Sequence, residues 1–330
     1  MTKTHIVWFK NDLRVHDHAP LAAACTSGDP VLALYIFEPE LWSGPDGTAG
    51  DITFLKQSLS ELAEALEERG ANLVIRIGAP AEIFARLHRD HGVAAIHTYR
   101  ESRQNNQQES RDAVRRWALR AGVSVREQEG HRQLSHAGTP GDWRARWHSF
   151  MTAPRRMAPE FIFSASARSE SLDDIQEGRF QENNEALALP GGRTHAVRLL
   201  RRAFIAGDAQ TFRDVVRALK QHIGIGAISV REAVQAAMRA ERIGAPGESV
   251  TYAKTLIDRL RDECERQYRL ERRFTHQQFG RQGHSAPLQH RERVRPNGTS
   301  IGRRSIQMPS DMGRLPGQLS FDFDTPRQAS

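Results

Sequence analysis

This sequence of 330 residues has little cysteine, lysine or aromatic content and no long hydrophobic run. Its two cysteines, Cys25 and Cys264, are too few and too far apart for a disulfide framework or a zinc cluster. No stretch approaches the roughly 18 apolar residues of a membrane span. The first apolar run, Ile6–Phe9, is too short for the core of a signal peptide. We therefore expect a cytoplasmic protein with no membrane partner.

The chain is polar and has a net positive charge. Hydrophobic residues make up 38% of it, the mean hydropathy is −0.59 and the formal net charge is +7. The cations are 42 arginines and 5 lysines. Arginine forks suit phosphate and carboxylate recognition, but a bias toward arginine also follows from genome base composition. Both explanations stay open from the sequence alone.

The first 130 residues alternate between buried-strand and helix patterns. Continuous rather than alternating apolarity is typical of strands that are covered on both faces. Ile6–Phe9 and Val31–Phe37 show this pattern, and the further strands that we predict are Leu73–Ile77, Ala94–Tyr99 and Val123–Glu127. The intervening helices include one over 54–69 that ends before Gly70, and one from Pro80 to His91 that ends at Gly92. Strands and helices that alternate at this spacing predict an α/β fold, a doubly wound five-stranded parallel sheet of Rossmann-like type.

The rest of the chain divides into three segments. Residues 131–190 are predicted to be an interdomain linker that runs over the surface and contains one short helix, marked by Trp143 and Trp147 at helical spacing. Residues 191–274 carry apolar stripes with helical period and form a small all-α region. Residues 275–330 contain eight Arg and four acidic residues among many Gly, Pro, Ser and Gln, and predict a disordered basic tail.

Several segments together resemble the DNA photolyase/cryptochrome family. The opening stretch Val7–Leu21 reads VWFKNDLRVHDHAPL, similar to the Trp-Phe-(Arg/Lys)-x-Asp-Leu-Arg start of that family. The segment around Tyr99–Glu101 resembles the end of its fourth strand. Pro190–Thr194 resembles the Gly-Gly signature of its helical FAD-binding domain, and Gly226–Glu232 the Gly-x-Ile-Ser-x-Arg helix start within it. The resemblance extends over roughly residues 4 to 271.

This resemblance implies a photolyase-type antenna domain over residues 1–130 and a truncated, divergent FAD-binding region over 191–274. The implied function is light-dependent, FAD-driven repair of pyrimidine dimers in DNA, or blue-light sensing. The implied cofactors are FAD and an antenna chromophore, a folate or a deazaflavin, and the implied partner is DNA. The resemblance assigns cofactor-binding positions to Lys10, Asn11, Asp12, Glu101 and Leu219, and it assigns no catalytic residue and no metal ligand.

The helical region departs from the family pattern where FAD would bind. The hydroxyl residues expected before the Gly-x-Ile-Ser helix are absent from Val216–His222. Arg217 and Lys220 could replace them electrostatically, or could be the solvated face of an amphipathic helix. Asp262 and Glu263 stand where the family has Trp-Arg, and carboxylates repel a diphosphate. A second function therefore stays open, a non-catalytic protein whose α/β domain binds an antenna chromophore, a nucleotide or a protein partner.

Two further features of the sequence admit more than one interpretation. Asp12, Arg14 and Asp17 follow the first strand, at the sheet edge where open α/β folds place ligands. They could form an ion-pair network that fixes the loop and caps the next helix, or contact a chromophore or another domain. In the tail, Gly317–Phe323 resembles the short peptides that dock on bacterial sliding clamps, so a clamp is a possible partner.

Overall fold

A computed structural model describes residues 3–42, 49–100, 108–131, 143–175, 189–206, 208–243 and 249–282. The predicted parallel sheet is confirmed. Its strands are β1 (Thr4–Phe9), β2 (Val31–Phe37), β3 (Leu73–Ile77), β4 (Val93–Tyr99) and β5 (Ser124–Gln128), in the order β3-β2-β1-β4-β5. All adjacent pairs are parallel. The chain therefore changes direction between β1 and β4, which is where doubly wound folds bind ligands.

Helices cover both faces of this sheet. Those of the first half are α1 (Ala19–Cys25), α2 (Pro39–Trp42), α3 (Ala49–Glu67), α4 (Pro80–His91) and α5 (Gln108–Ala121). Side chains of α1 and α3 pack on one face with Val7 and Phe9. Side chains of α4 and α5 pack on the other with Ile6 and Trp8. Successive residues of a strand point to opposite faces, so β1 contributes to two separate apolar layers.

The predicted helix ends are largely confirmed. Helix α4 runs from Pro80 to His91, and Gly92 adopts the left-handed conformation at its end, with a φ of 62°. Glycine takes that conformation without the steric cost of a Cβ atom. Helix α3 begins five residues before the predicted start at 54.

The segment that follows α6 (Trp143–Thr152) is bound more closely to the sheet than a surface linker would be. Ile162 and Ile175 are fully buried. The N–H of Glu170 donates to the carbonyl of Ile75 (3.0 Å), and the Glu170 carboxylate accepts from the N–H of Ile77 (2.6 Å). Strand β3 lies at one edge of the sheet, so the backbone groups on its outer side have no neighbouring strand to pair with. Hydrogen bonds to that strand hold this segment in place. The amino-acid composition of the segment does not predict them.

The second half of the described chain is helical, as predicted. It contains α7 (Arg193–Phe204), α8 (Ala209–Ile225), α9 (Val230–Ile243) and α10 (Ser249–Gln282). These helices and α6 share one apolar core. Helix α10 ends at Gln282, eight residues beyond the predicted limit of ordered structure at 274, because the polar residues 275–278 do not interrupt a helix whose packing is made upstream. The remainder of the predicted tail lies outside the described residues.

The α/β domain and the helical region lie within one compact unit, Met1–His284. None of the helices in the described ranges is long and apolar enough to cross a membrane.

Candidate functional site

A cavity of about 790 Å³ lies at the carboxyl edge of the sheet, between β1 and β4. One wall belongs to the α/β domain and comprises the loop after β1 and the ends of β4 and β5. The opposite wall comes from the end of α6, the segment 153–156 and the first turn of α9. The lining residues of these two walls are Lys10, Asn11, Asp12, Arg14, Asp17, Ala19, Tyr99, Arg100, Glu127–His131, Phe150, Ala153–Arg156 and Ser229–Arg231.

The charge of the lining favours an anion. It contains six Lys and Arg residues and four Asp and Glu residues, a formal balance of +2. Several of these charges neutralise one another, since Arg100 lies 3.4 Å from Glu127 and 3.8 Å from Glu129. Arg156 is exposed and makes no ion pair within the described part of the chain. Its guanidinium is therefore the cation most available to a ligand.

The loop after β1 is held by a buried Asp12–His18 pair. The Nε2 atom of His18 lies 2.9 Å from the Asp12 carboxylate. Its Nδ1 atom accepts the N–H of Leu21 and so caps helix α1. A ring nitrogen that accepts carries no proton, so His18 is the neutral Nε2–H tautomer, and burial accordingly lowers its pKa. Burial raises the pKa of Asp12, but the hydrogen bond from His18 and the N–H of Lys10 reverse that effect and leave the pKa low.

Asp17 joins this loop to the opposite wall. Its carboxylate accepts from Ser229 Oγ (2.7 Å), from Arg231 Nη1 (3.1 Å) and from the N–H of Arg156 (3.2 Å). It is also the one non-glycine residue with positive φ (48°) in the described ranges. Aspartate tolerates this conformation better than most residues. Of the open interpretations of Asp12, Arg14 and Asp17, the structure therefore supports two, an internal network and a contact between domains.

The two glycine motifs of the helical region also lie at this contact. Gly226, at the end of α8, packs against the backbone of Asn11 and Asp12. Gly191 packs against the backbone of Phe54 on α3, and its N–H donates to the Gln57 side chain (2.6 Å). Both motifs therefore dock the helical region onto the α/β domain.

Three of the five residues assigned by resemblance come together at the cavity. Lys10, Asn11 and Asp12 line it. Glu101 lies outside the described residues and directly follows the lining residue Arg100. Leu219 is elsewhere, fully buried in the apolar core of the helical region and absent from the cavity lining.

Sequence reasoning missed the second wall. Phe150, Arg155 and Arg156 lie within the segment that the sequence predicts to be a linker, and no local pattern marks them as site residues. The signal that could have found this wall was Arg231, which belongs to the Gly226–Glu232 motif and bonds to Asp17. No group of three or more His, Cys, Asp or Glu residues suited to a metal occurs within the described part of the chain.

Two buried histidines predict acid sensitivity. Burial lowers the pKa of His97 to about 4, with His5 adding to the effect. Burial also lowers the pKa of His222 to about 4; His195 adds to this, and a backbone contact with Gly192 opposes it. The unfolded chain binds these protons near pH 6.5, so stability is expected to fall as the pH drops from 6.5 toward 4, by about 2 kcal/mol for each histidine.

Urea unfolding at pH 7 and pH 4.5 measures this effect. The carboxylates with lowered pKa lose most of their contribution below pH 4.5, so the loss over this interval comes mainly from the histidines. A His222→Gln variant is expected to lose about 2 kcal/mol less than the wild type over this interval, since His97 and the other histidines with lowered pKa, His5 and His18, remain. Equal wild-type stabilities at the two pH values would contradict the prediction.

Comparisons with known proteins agree with this architecture. Residues 5–142 match the family model for DNA photolyase. A cryptochrome DASH from Gloeobacter violaceus is 39% identical over 105 residues, which are 30% of this chain and 21% of that protein. A solved cryptochrome from Synechocystis superimposes with a TM-score of 0.65 at 21% identity, covering 81% of this chain and 61% of the other. An archaeal photolyase from Sulfolobus tokodaii, solved with two FAD molecules, gives a TM-score of 0.55 at 21% identity over 73% of this chain and 56% of that one.

At this low identity, the matches to solved structures establish only the fold. The evidence for the family comes from the sequence match of the N-terminal domain. The match to the cryptochrome DASH spans about a fifth of that relative's length, and the matches to the two solved chains span less than two thirds of theirs. The Trp-Phe-Lys-Asn-Asp-Leu-Arg segment lies within the matched residues, at the end of β1 and in the loop that forms the cavity. The N-terminal domain, residues 5–142, therefore belongs to the DNA photolyase/cryptochrome family.

Proposed function

We propose that this protein binds a small, planar, aromatic anion in the cavity between the α/β domain and the second wall. The size class is that of a pterin, a deazaflavin or a nucleotide. The observation that carries the proposal is the cavity itself, which lies at the switch point of a doubly wound sheet and has a positive lining. Its volume of about 790 Å³ falls within the usual range for ligand pockets.

The chemistry of the lining supports an aromatic ligand with one charged end. Tyr99 and Phe150 supply aromatic surface on opposite walls. Backbone and side-chain groups of Lys10, Asn11 and Gln128 supply polar contacts to ring heteroatoms. The guanidinium of Arg156 supplies a donor for a phosphate or carboxylate. A ligand with an aromatic ring between the two walls and an anionic group at Arg156 would contact all of these groups.

FAD is the cofactor that the family implies, and the described helices do not fit its diphosphate. The Arg217 side chain is 79% exposed and lies 3.6 Å from the Asp214 carboxylate, on the solvent side of α8. Lys220 is also exposed, while Leu219 fills the core. Asp262 is exposed beside Arg261, and Glu263 pairs with Arg266. These positions support the non-catalytic alternative and provide no basis for a reaction step through FAD.

Contact with DNA remains a proposal with a separate basis. Residues 191–282 contain 18 Arg and Lys against 10 Asp and Glu, a net charge of +8 that exceeds the charge of the whole chain. Such a charge favours phosphate backbones without sequence preference. The clamp-docking peptide Gly317–Phe323 lies outside the described residues and stays a prediction.

Flavin mononucleotide and riboflavin form a matched pair of probes, since they share a fluorescent ring and differ by a phosphate. We expect the protein to bind flavin mononucleotide more tightly than riboflavin in a fluorescence titration. Arg156→Ala is expected to weaken flavin mononucleotide binding about tenfold, because a charge-assisted hydrogen bond contributes roughly 1.5–3 kcal/mol. Riboflavin binding is expected to change less than about twofold.

Arg217→Ala is the matched control, because it removes the same charge from an exposed position on α8, outside the cavity. It is expected to leave both affinities at the wild-type values. If the wild-type protein binds neither probe, or if the two arginine variants weaken flavin mononucleotide equally, the proposed function is wrong.

A further inference from the structure

The cavity is a composite site, because neither of its walls encloses it alone. The α/β wall contributes the loop from Lys10 to Asp17 and the ends of β4 and β5. The second wall contributes 153–156 and the first turn of α9, which belong to parts of the chain more than 130 residues from that loop. A ligand between them must touch both. The position of the second wall therefore decides whether the site exists.

Polar contacts at Asp17 set the position of the second wall. One carboxylate oxygen accepts from Ser229, and the other accepts from Arg231 and from the N–H of Arg156. In return, the N–H of Asp17 donates to the Arg156 carbonyl (2.8 Å). Ser229 Oγ also accepts the N–H of Glu232 (3.0 Å), within the first turn of α9. One side chain thus aligns both segments that form the second wall.

Close backbone packing at Gly226 brings the two walls together. A Cβ atom at Gly226 would lie 2.3 Å from the Asn11 carbonyl oxygen and 2.4 Å from Asp12 Cα. Beside it, the N–H of Leu13 donates to the Ile225 carbonyl (3.2 Å), and Arg14 Nη1 donates to the Gly226 carbonyl (3.0 Å). Gly226 itself does not line the cavity. It affects the site only through the docking of the helical region.

We infer that ligand binding in this cavity is coupled to the docking of the helical region on the α/β domain. The inference rests on the proposed function and adds a mode of regulation to it. A ligand held by both walls binds only the docked form, and by linkage it stabilises that form. Asp17 and Gly226 are positioning residues, which act through Arg231, Arg156 and the loop after β1. A change that weakens the docking of the helical region therefore lowers the affinity for the ligand, and bound ligand in turn stabilises the docked form.

Gly226→Ala in the full chain tests the coupling. The added methyl group meets backbone atoms, which cannot move aside as a side chain could, so it separates the two walls. We expect the affinities for flavin mononucleotide and for riboflavin both to fall at least tenfold, at 15 °C and with wild-type circular dichroism. Loss of both affinities distinguishes a displaced wall from the loss of one charged contact.

Gly28→Ala is the matched control for backbone strain. Gly28 has a φ of +76°, close to the +78° of Gly226, but a Cβ atom there meets nothing within 4 Å. Both variants therefore carry the same left-handed penalty, and only Gly226→Ala adds the clash. Gly28→Ala is expected to bind both probes within about twofold of the wild type. Wild-type affinity in a folded Gly226→Ala variant would overturn the coupling and leave the proposed function standing.

Hydrogen exchange on the wild-type protein provides a test that needs no variant. The Leu13 amide, which bonds across the contact, should exchange about 100-fold more slowly in flavin mononucleotide at 100 times its dissociation constant. The Gly92 amide, which bonds within the end of α4, should keep its rate. An unchanged Leu13 rate at saturation would overturn the coupling. If flavin mononucleotide does not bind at all, the proposed function fails instead.

Discussion

Replacing Glu232 with alanine is expected to lower the free energy of unfolding by about 3 kcal/mol, because the variant loses a buried carboxylate that pairs with two arginines. The Glu232 carboxylate accepts from Arg193 in a bidentate pair, at 2.7 and 2.8 Å, and lies 3.3 Å from Arg155. Burial raises the pKa of Glu232, but these arginines outweigh that effect and hold the pKa below its usual value. The carboxylate is therefore charged at neutral pH, and its loss removes the contacts that it makes with two partly buried guanidinium groups.

Glu263→Ala is the control for this prediction. Glu263 also pairs with an arginine on a helix, but its Arg266 partner is 61% exposed. Exposed pairs of this kind contribute roughly 0–1 kcal/mol. Urea unfolding at pH 7 should therefore show a large loss for Glu232→Ala and a small one for Glu263→Ala. Similar losses in the two variants would contradict the claim that the Glu232 cluster connects α7, α9 and the segment after α6.

Replacing Gly191 with alanine is expected to cost about 3 kcal/mol for a steric reason. The added Cβ atom would lie 2.2 Å from the carbonyl oxygen of Phe54 and 2.8 Å from Ser58 Oγ. The Phe54 carbonyl is part of helix α3 and accepts from Ser58 Oγ, so it has little freedom to move. The helical region must shift away from α3, and the N–H of Gly192 loses its bond to Ser58 (2.9 Å).

Gly224→Ala provides a control with the opposite sign. Gly224 lies within α8, and a Cβ atom there meets nothing within 4 Å. Alanine is favoured over glycine inside a helix by roughly 0.8–1.0 kcal/mol. Thermal unfolding should show a lower midpoint for Gly191→Ala and an equal or higher one for Gly224→Ala. A Gly191→Ala variant as stable as the wild type would mean that the helical region does not dock on α3 through this glycine.

The residues in these predictions belong to motifs that were visible in the sequence, but the contacts that these motifs make were not. The Gly-Gly pair and the Gly-Ala-Ile-Ser-Val-Arg-Glu segment were recognisable by resemblance, which associates them with a FAD-binding domain. In the structure they pack against α3 and the loop after β1. A short glycine motif indicates that its backbone packs closely against another part of the chain, or that a helix begins there. It does not indicate which surface the backbone packs against, because that surface is formed by residues far away in the chain.

Local patterns in the amino-acid sequence were enough to specify the α/β half of the molecule. Apolar segments indicate the strands, most clearly the continuous runs of β1 and β2, and glycine indicates the helix ends, because burial on two faces and left-handed φ values are local requirements. The same patterns placed Asp12, Arg14 and Asp17 at the carboxyl edge of the sheet, whereas Lys10 and Asn11 were assigned to the site by the family resemblance. That this edge faces Arg156 and Arg231, and that Asp17 joins the α/β wall to the second wall, emerged only from the folded chain. Such contacts depend on the packing of distant segments, which no local pattern of hydrophobicity or charge encodes.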